Sequence, residues 1–281
     1  MASNCYIYAT WGSSSVWRAL EWHSRGQRFD PAQLHTINTR YNPNHYSFIF
    51  VINIVQKFIF IFLFQIVSGQ NDPNPLRFMN NPISDQVSID LFELWDSKNS
   101  YEVNGIVFVG SSSIRKWHTS KYFTKFPIIN RGFGGSQISD VNYFIKETVL
   151  KYNPKVVVLY AGDNDINYGK NPKNVLEDFI YFSEIIHSNL PKTKIIFISI
   201  KPSPSRWGLW NVMKQTNFLI HDYIKKKSYL YYVDTATPML NIKGYPDRVF
   251  FVSDSLHLSE KGYDLWSKIL EPILINTLDT K

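Results

Sequence analysis

A serine hydroxyl becomes a useful nucleophile only when a nearby base takes its proton. The residues with chemistry in them are therefore serines held at a turn and a histidine that a fold can bring to them. Ile106-Val-Phe-Val-Gly-Ser-Ser-Ser-Ile-Arg-Lys-Trp117 runs four apolar residues into a glycine and three serines. The apolar run reads as a strand buried on both faces of a parallel sheet. Ser111, Ser112 and Ser113 then fall just past its carboxyl end, where open α/β sheets place their ligands. Read alone, the same Gly-Ser run is equally a strand-to-helix turn with a serine cap.

Seven histidines are candidates for the base. His23, His35 and His45 lie far upstream, His187 and His221 fall inside stretches of helical spacing, and His118 follows the serines closely enough to cap or pack. His257, in Phe250-Phe-Val-Ser-Asp-Ser-Leu-His257, has Asp254 three residues earlier, a spacing that a tight turn folds back onto the ring. An aspartate there holds the imidazole tautomer and stabilises its charged form during proton transfer. Asp254 could instead cap a helix that begins near Ser259.

Acyl transfer also needs donors aimed at the oxygen that becomes negative. Pro127-Ile-Ile-Asn-Arg-Gly-Phe-Gly-Gly-Ser136 ends a short strand in a glycine turn, where Gly135 can present an unobstructed N–H. Val156-Val-Val-Leu-Tyr-Ala-Gly-Asp-Asn-Asp165 ends another, where Asn164 can present its side-chain amide. A plain turn and a helix cap are the structural alternatives for these two. No Gly-x-Gly-x-x-Gly or Gly-Lys-Ser/Thr run follows a strand, and no two histidines are spaced as ligands on one element. The reading therefore includes no cofactor and no metal.

In this order, the four stretches resemble the sequence blocks of the SGNH, or GDSL-like, hydrolase superfamily, from about Gly105 to Trp266. Aligned on Gly-Asp-Ser-Leu, Gly110-Ser-Ser-Ser113 makes Ser112 the nucleophile, and Ser111 stands where the pattern has aspartate. The resemblance implies Asp254 and His257 as acid and base, and Ser112, Gly135 and Asn164 as oxyanion donors. It implies an ester hydrolase that forms an acyl-enzyme on Ser112, and export would favour an acetylated carbohydrate or a lipid-type ester as its substrate. An acyltransferase with the same triad, or a non-catalytic carbohydrate-binding module on the same fold, are the alternatives.

Positioning these groups requires alternating elements. Strands are expected at 106–109, 128–130, 156–160, 195–200 and 229–233. Val175, Phe179, Phe182 and Ile186 recur at helical spacing, as do Val212, Leu219, Tyr223 and Ile224. Strands alternating with helices imply βαβ units. The expected fold is α/β, a three-layer α/β/α sandwich on a mostly parallel sheet, flavodoxin-like, as the resemblance also implies. It occupies residues 101–281, with 70–100 as linker and lead-in, in which the Asn- and Pro-rich 72–82 reads as linker. The loop 201–210 has Arg206, Trp207 and Trp210 to shape a pocket by gripping an anion or stacking on a sugar, although loop tryptophans also simply pack.

Upstream, residues 1–56 show no sustained period and read as a poorly ordered extension. Residues 47–67 are apolar and long enough to span a membrane or associate with one. Lys57 in their middle costs about 2.5–3.5 kcal/mol in a spanning helix. The division that fits better is an export signal over 57–69, with Lys57 as basic start, an apolar stretch 58–67, and Ser68-Gly69 as the cleavage site. Of the formal charge of +7, five basic residues against Glu21 and Asp30 lie before position 70. The remaining +4 is too mild for a nucleic-acid surface, and Lys225-Lys-Lys227 reads as a solvated helix end. The single cysteine, Cys5, lies in the extension and gives no redox information. The expected protein is exported, secreted or periplasmic, with membrane anchoring through 47–67 as the alternative and the oligomeric state open. N-terminal sequencing of the exported product should find its start near Gln70; a start at Ala2 would make the segment an anchor.

Overall fold

A computed structural model describes residues 72–79 and 89–279. The chain divides into Met1–Gln70 and Asn71–Lys281, and the described residues belong to the second unit. The expectations for 1–56, for the export signal and for the apolar segment 47–67 lie outside them. Among the described residues, no helix is long and apolar enough to cross a membrane.

In chain order the elements are α1 (Ile89–Lys98), β1 (Ile106–Gly110), α2 (Ser112–Arg115), α3 (Thr119–Tyr122), β2 (Ile128–Gly132), α4 (Ile138–Tyr143) and α5 (Ile145–Thr148). They continue as β3 (Val156–Tyr160), α6 (Asp163–Asn167), α7 (Pro172–Asn189), β4 (Lys194–Ile198), α8 (Trp210–Ile224), β5 (Leu230–Val233) and α9 (Glu260–Asp279). The strands form one parallel sheet in the order β2-β1-β3-β4-β5. This is the flavodoxin-like order, whose direction of winding reverses between β1 and β3, and the crevice at that reversal is where such sheets bind ligands.

Both faces of the sheet are covered, which explains the unbroken apolar runs of the central strands β1 and β3. Alternate side chains of a strand point to opposite faces. Val107, Val109, Val157, Leu159, Ile195 and Phe197 pack with Val175, Phe179, Phe182, Met213 and Ile220 from α7 and α8. Ile106, Phe108, Val156, Val158 and Ile196 pack on the other face with Trp117, Trp266, Leu270 and Leu274. Here the Trp117 ring meets those of Phe108 and Trp266 at 5.4 and 5.6 Å between centroids. Helices α7 and α8 thus cover one face and α9 the other, so the three-layer expectation holds.

The linker expectation for 72–82 needs correction over 72–79. Pro75–Phe78 forms a short 3-10 turn begun by Asn74, whose side chain accepts from the Leu76 N–H. Phe78 is buried edge-on to Phe133, 4.9 Å between centroids, and Arg77 is bonded to Asp140. Asn and Pro content marked the backbone as irregular. One aromatic side chain with a place in the core is enough to tie it down.

The strand ends next to the crevice are close-packed. Gly110 has φ +133°, and a Cβ there would lie 1.9 Å from the Tyr160 carbonyl oxygen of the neighbouring strand. Gly135 has φ +81° but open space around its α-carbon. Gly110→Ala should therefore lose at least about 3 kcal/mol of stability through combined strain and collision. Gly135→Ala should lose only about 1–2 kcal/mol, the cost of a left-handed backbone. Urea unfolding of both variants checks the contrast; similar losses would refute it.

Candidate active site

Three strand ends deliver the site. After β1 the chain turns at Ser111, whose N–H donates to the Tyr160 carbonyl at 2.9 Å, and Ser112 becomes the first residue of α2. Burial separates the three serines. Ser111 and Ser113 are each 1% exposed, while Ser112 is half-buried at the surface of the crevice. The Ser112 Oγ lies 2.9 Å from His257 Nε2. Ser113 Oγ instead accepts from the buried ammonium of Lys201 at 3.2 Å, and this Ser-Lys pair is shut away from any substrate.

The turn that presents His257 is built by Asp254. One carboxylate oxygen accepts the Leu256 and His257 backbone N–H groups, both at 2.8 Å, with Ser255 in the left-handed region at φ +58°. The other oxygen lies 2.6 Å from His257 Nδ1. A carboxylate only accepts, so the neutral ring carries its proton on Nδ1 and turns the Nε2 lone pair toward Ser112. Partial burial pushes the Asp254 pKa up, but the bonds from the ring and the two N–H groups outweigh it and bring the carboxyl down to about 2. It is ionised throughout the neutral range. The cap expected as an alternative does exist, but it closes the turn 254–257. The following helix α9 is preceded by Ser259, whose own hydroxyl accepts the Gly262 N–H at 3.3 Å.

The candidate donors lie after β2 and β3. Gly135 is exposed, and neither its N–H nor that of Ser112 has an acceptor among the described residues. Asn164, in the first turn of α6, does not cap that helix. Its Nδ2 donates to the Ser136 carbonyl at 3.0 Å and its Oδ1 accepts from Arg206 at 2.9 Å, which leaves one Nδ2 hydrogen unused. Next to it, Asp165 Oδ1 accepts the Ile138 N–H at 3.0 Å and ties the two donor loops together.

The residues that sequence reasoning missed lie underneath. Lys201, 1% exposed, donates to Tyr160 Oη and Asp163 Oδ2, both at 3.0 Å, besides Ser113. Burial drives its pKa down and Asp163 opposes this; Asp163, despite its own burial, is held below the ordinary carboxylate range by Lys201 and Arg206. Arg206 is turned inward: Nη2 donates to Asn164 at 2.9 Å, and Nη1 forms an ion pair with Asp163 at 3.3 Å without a hydrogen bond to it. A lysine directly after an apolar strand, at the edge where ligands bind, was the available signal. The other described histidines are packing groups or lie at the surface. His187 and His221 stack on Tyr229 and Tyr232 at 3.8 and 4.4 Å, and His118 is exposed. Trp210 is buried and Trp207 lies half-buried, 6.2 Å from it and 5.2 Å from Tyr245. No group of side chains among the described residues could hold a metal ion.

A family model for the GDSL-like Lipase/Acylhydrolase family matches residues 111–265, more than half of the chain. The chain belongs to that family. It is a hydrolase of ester bonds, which leaves a non-catalytic module without support. Solved structures share its fold. A GDSL-like lipase from Bacteroides thetaiotaomicron has a TM-score of 0.58 at 20% identity over 67% of this chain and 97% of its own. A family 3 carbohydrate esterase from Clostridium thermocellum scores 0.50 at 21% identity over 62% and 98%. An acetyl esterase mutant with an acetate ion scores 0.51 at 17% identity over 63% and 99%. The curated proteins include no match to the sequence.

Acidity tests the donor loops of this hydrolase. Burial pushes Asp165 up to about 7 and Asp178 up to about 6, with Lys170, 2.6 Å from Asp178, opposing both. An unfolded aspartate titrates near pH 3.9. Between about pH 4 and pH 7 these two aspartates therefore hold more protons folded than unfolded, and their contribution to stability falls as pH rises. Urea unfolding from pH 4 to 8 should show this decline, and Asp165→Asn should flatten it; an unchanged slope in the variant would refute the assignment.

Proposed function

We propose that the hydrolase is a serine esterase in which Ser112 attacks the ester carbonyl, His257 takes and returns the proton, and Asp254 orients the ring. The supporting observation is the unbroken chain from Ser112 Oγ to His257 Nε2 at 2.9 Å and from His257 Nδ1 to Asp254 at 2.6 Å. As the Ser112 Oγ–C bond forms, its proton passes to Nε2, and the imidazolium is stabilised by the ionised Asp254. The carbonyl oxygen becomes negative and is received by the Ser112 N–H, the Gly135 N–H and the free Nδ2 hydrogen of Asn164. Each such donor lowers the barrier by about 2.7–4 kcal/mol. Collapse expels the alcohol, which takes the proton from Nε2, and leaves an acyl-Ser112. Water, deprotonated by the same nitrogen, then releases the acid.

The substrate class proposed is a short-chain ester outside the cytoplasm, an acetylated carbohydrate before a lipid-type ester. The carbohydrate and acetyl esterases among the proteins of similar fold support that order. The signal-like segment 57–69 of the sequence supports export. An acyltransferase would use the same three groups and pass the acyl chain to an alcohol instead of water.

A fluorophosphonate probe should label the protein, and labelling should vanish in Ser112→Ala and persist in Ser113→Ala. Loss in Ser113→Ala alone would move the nucleophile. On chromogenic esters of increasing chain length, kcat/KM should be highest for acetate, with acetate also released from acetylated sugars; a maximum at long chains would favour lipid. An ester product formed from an added alcohol would identify the transferase.

A further inference from the structure

We propose that Arg206 is a positioning residue for the reaction, which sets the Asn164 amide so that its free N–H faces the developing oxyanion. The proposal rests on the reading of Asn164 as an oxyanion donor and adds what makes it one. A side-chain amide can sit in either of two orientations related by a 180° flip. The correct one here places Oδ1 on the Arg206 guanidinium at 2.9 Å and Nδ2 on the Ser136 carbonyl at 3.0 Å. The flipped one sets NH2 against a guanidinium, which can only donate, and oxygen against a carbonyl, which can only accept. Two repulsions replace two bonds, and the donor is turned into an acceptor. Arg206 is half of that discrimination.

The guanidinium is itself fixed from below. Asp163 Oδ2 attracts it as an ion pair, 3.3 Å from Nη1 and without a hydrogen bond to that nitrogen, and itself accepts from Lys201 at 3.0 Å. The three hydrogens of the Lys201 ammonium have three acceptors, Asp163, Tyr160 and Ser113, within 3.2 Å. Lys201 and Asp163 are buried, and the Arg206 side chain is 13% exposed, so the chain of contacts is shielded from water and from screening by salt. A bond to a positively charged donor also polarises the amide and strengthens its remaining N–H, because hydrogen bonds in series reinforce one another. Arg206 does not touch the substrate in this account. It acts through Asn164.

A double-mutant cycle on p-nitrophenyl acetate tests this, with Arg206→Met, Asn164→Ala and the pair, reading kcat and KM separately and checking each melting curve. Asn164→Ala should lower kcat by roughly 10²–10³-fold. Arg206→Met should lower kcat by about tenfold or more with KM little changed, since a misplaced group costs up to about 10²-fold. The pair should be no worse than Asn164→Ala to within about twofold. Equal loss from Arg206→Met in both backgrounds would make Arg206 merely structural and overturn the proposal, as would full kcat in a folded Arg206→Met. Full kcat in Asn164→Ala would instead remove the donor reading itself. If Arg206→Met does not fold, Arg206→Lys keeps a charge beside Asp163 but cannot reach both groups, and the same cycle with it must show the same coupling or the proposal fails.

Discussion

Two backbones touch where the sheet reverses its winding, and the rest of the site takes its geometry from that contact. Gly110 lies against the Tyr160 carbonyl with no room for a side chain, and the next N–H, from Ser111, bonds the same oxygen. The ends of β1 and β3 are thereby locked in register. Ser112 and Asn164 follow those ends by two and four residues, so their separation is set by backbone and not by long, adjustable side chains. Gly132 repeats the device on the other side, where a Cβ would strike the Arg115 backbone nitrogen at 2.3 Å. Helix α2, which starts at Ser112, thus packs against the ends of β1 and β2.

Below this frame lies an ammonium in the interior. Moving such a charge out of water costs several kcal/mol after relaxation, and it is retained only where partners satisfy it. Lys201 has one ionised partner and two neutral ones, and Asp163 shares its charge between Lys201 and Arg206. The cluster therefore carries one net positive charge below the donors. A positive potential there suits a reaction whose transition state gathers negative charge on the carbonyl oxygen. Tyr263 joins the same region from α9 by donating to the Ser113 carbonyl at 2.9 Å. Helix α9 thus supports the segment next to Ser112 as well as covering the core.

Much of the architecture was legible because burial and periodicity are local properties. The strands expected at 106–109, 128–130 and 156–160 appear as Ile106–Gly110, Ile128–Gly132 and Val156–Tyr160. The last expected residues of 195–200 are instead the start of the crevice wall, since the strand ends at Ile198. There Ile200 fills the space above Gly162, and Asn217 bonds both its N–H and its carbonyl. An apolar residue just past a strand looks like more strand. Residues 72–79 were misread for the opposite reason, because the composition of a turn hides the one side chain that docks.

Types and spacing along the chain were sufficient for an α/β sandwich, for an Asp-x-x-His turn and for a serine, a glycine and an asparagine at strand ends, because each depends on neighbours within a few residues. The resemblance pointed to Ser112 among three adjacent serines, but the physical reason came only with the fold, in which Ser111 and Ser113 are buried and Ser112 meets the imidazole. The cluster of Lys201, Asp163 and Arg206 also came only with the fold. Their partners are up to 88 residues away in sequence, and whether a charged side chain is solvated or enclosed depends on what the folded chain packs around it.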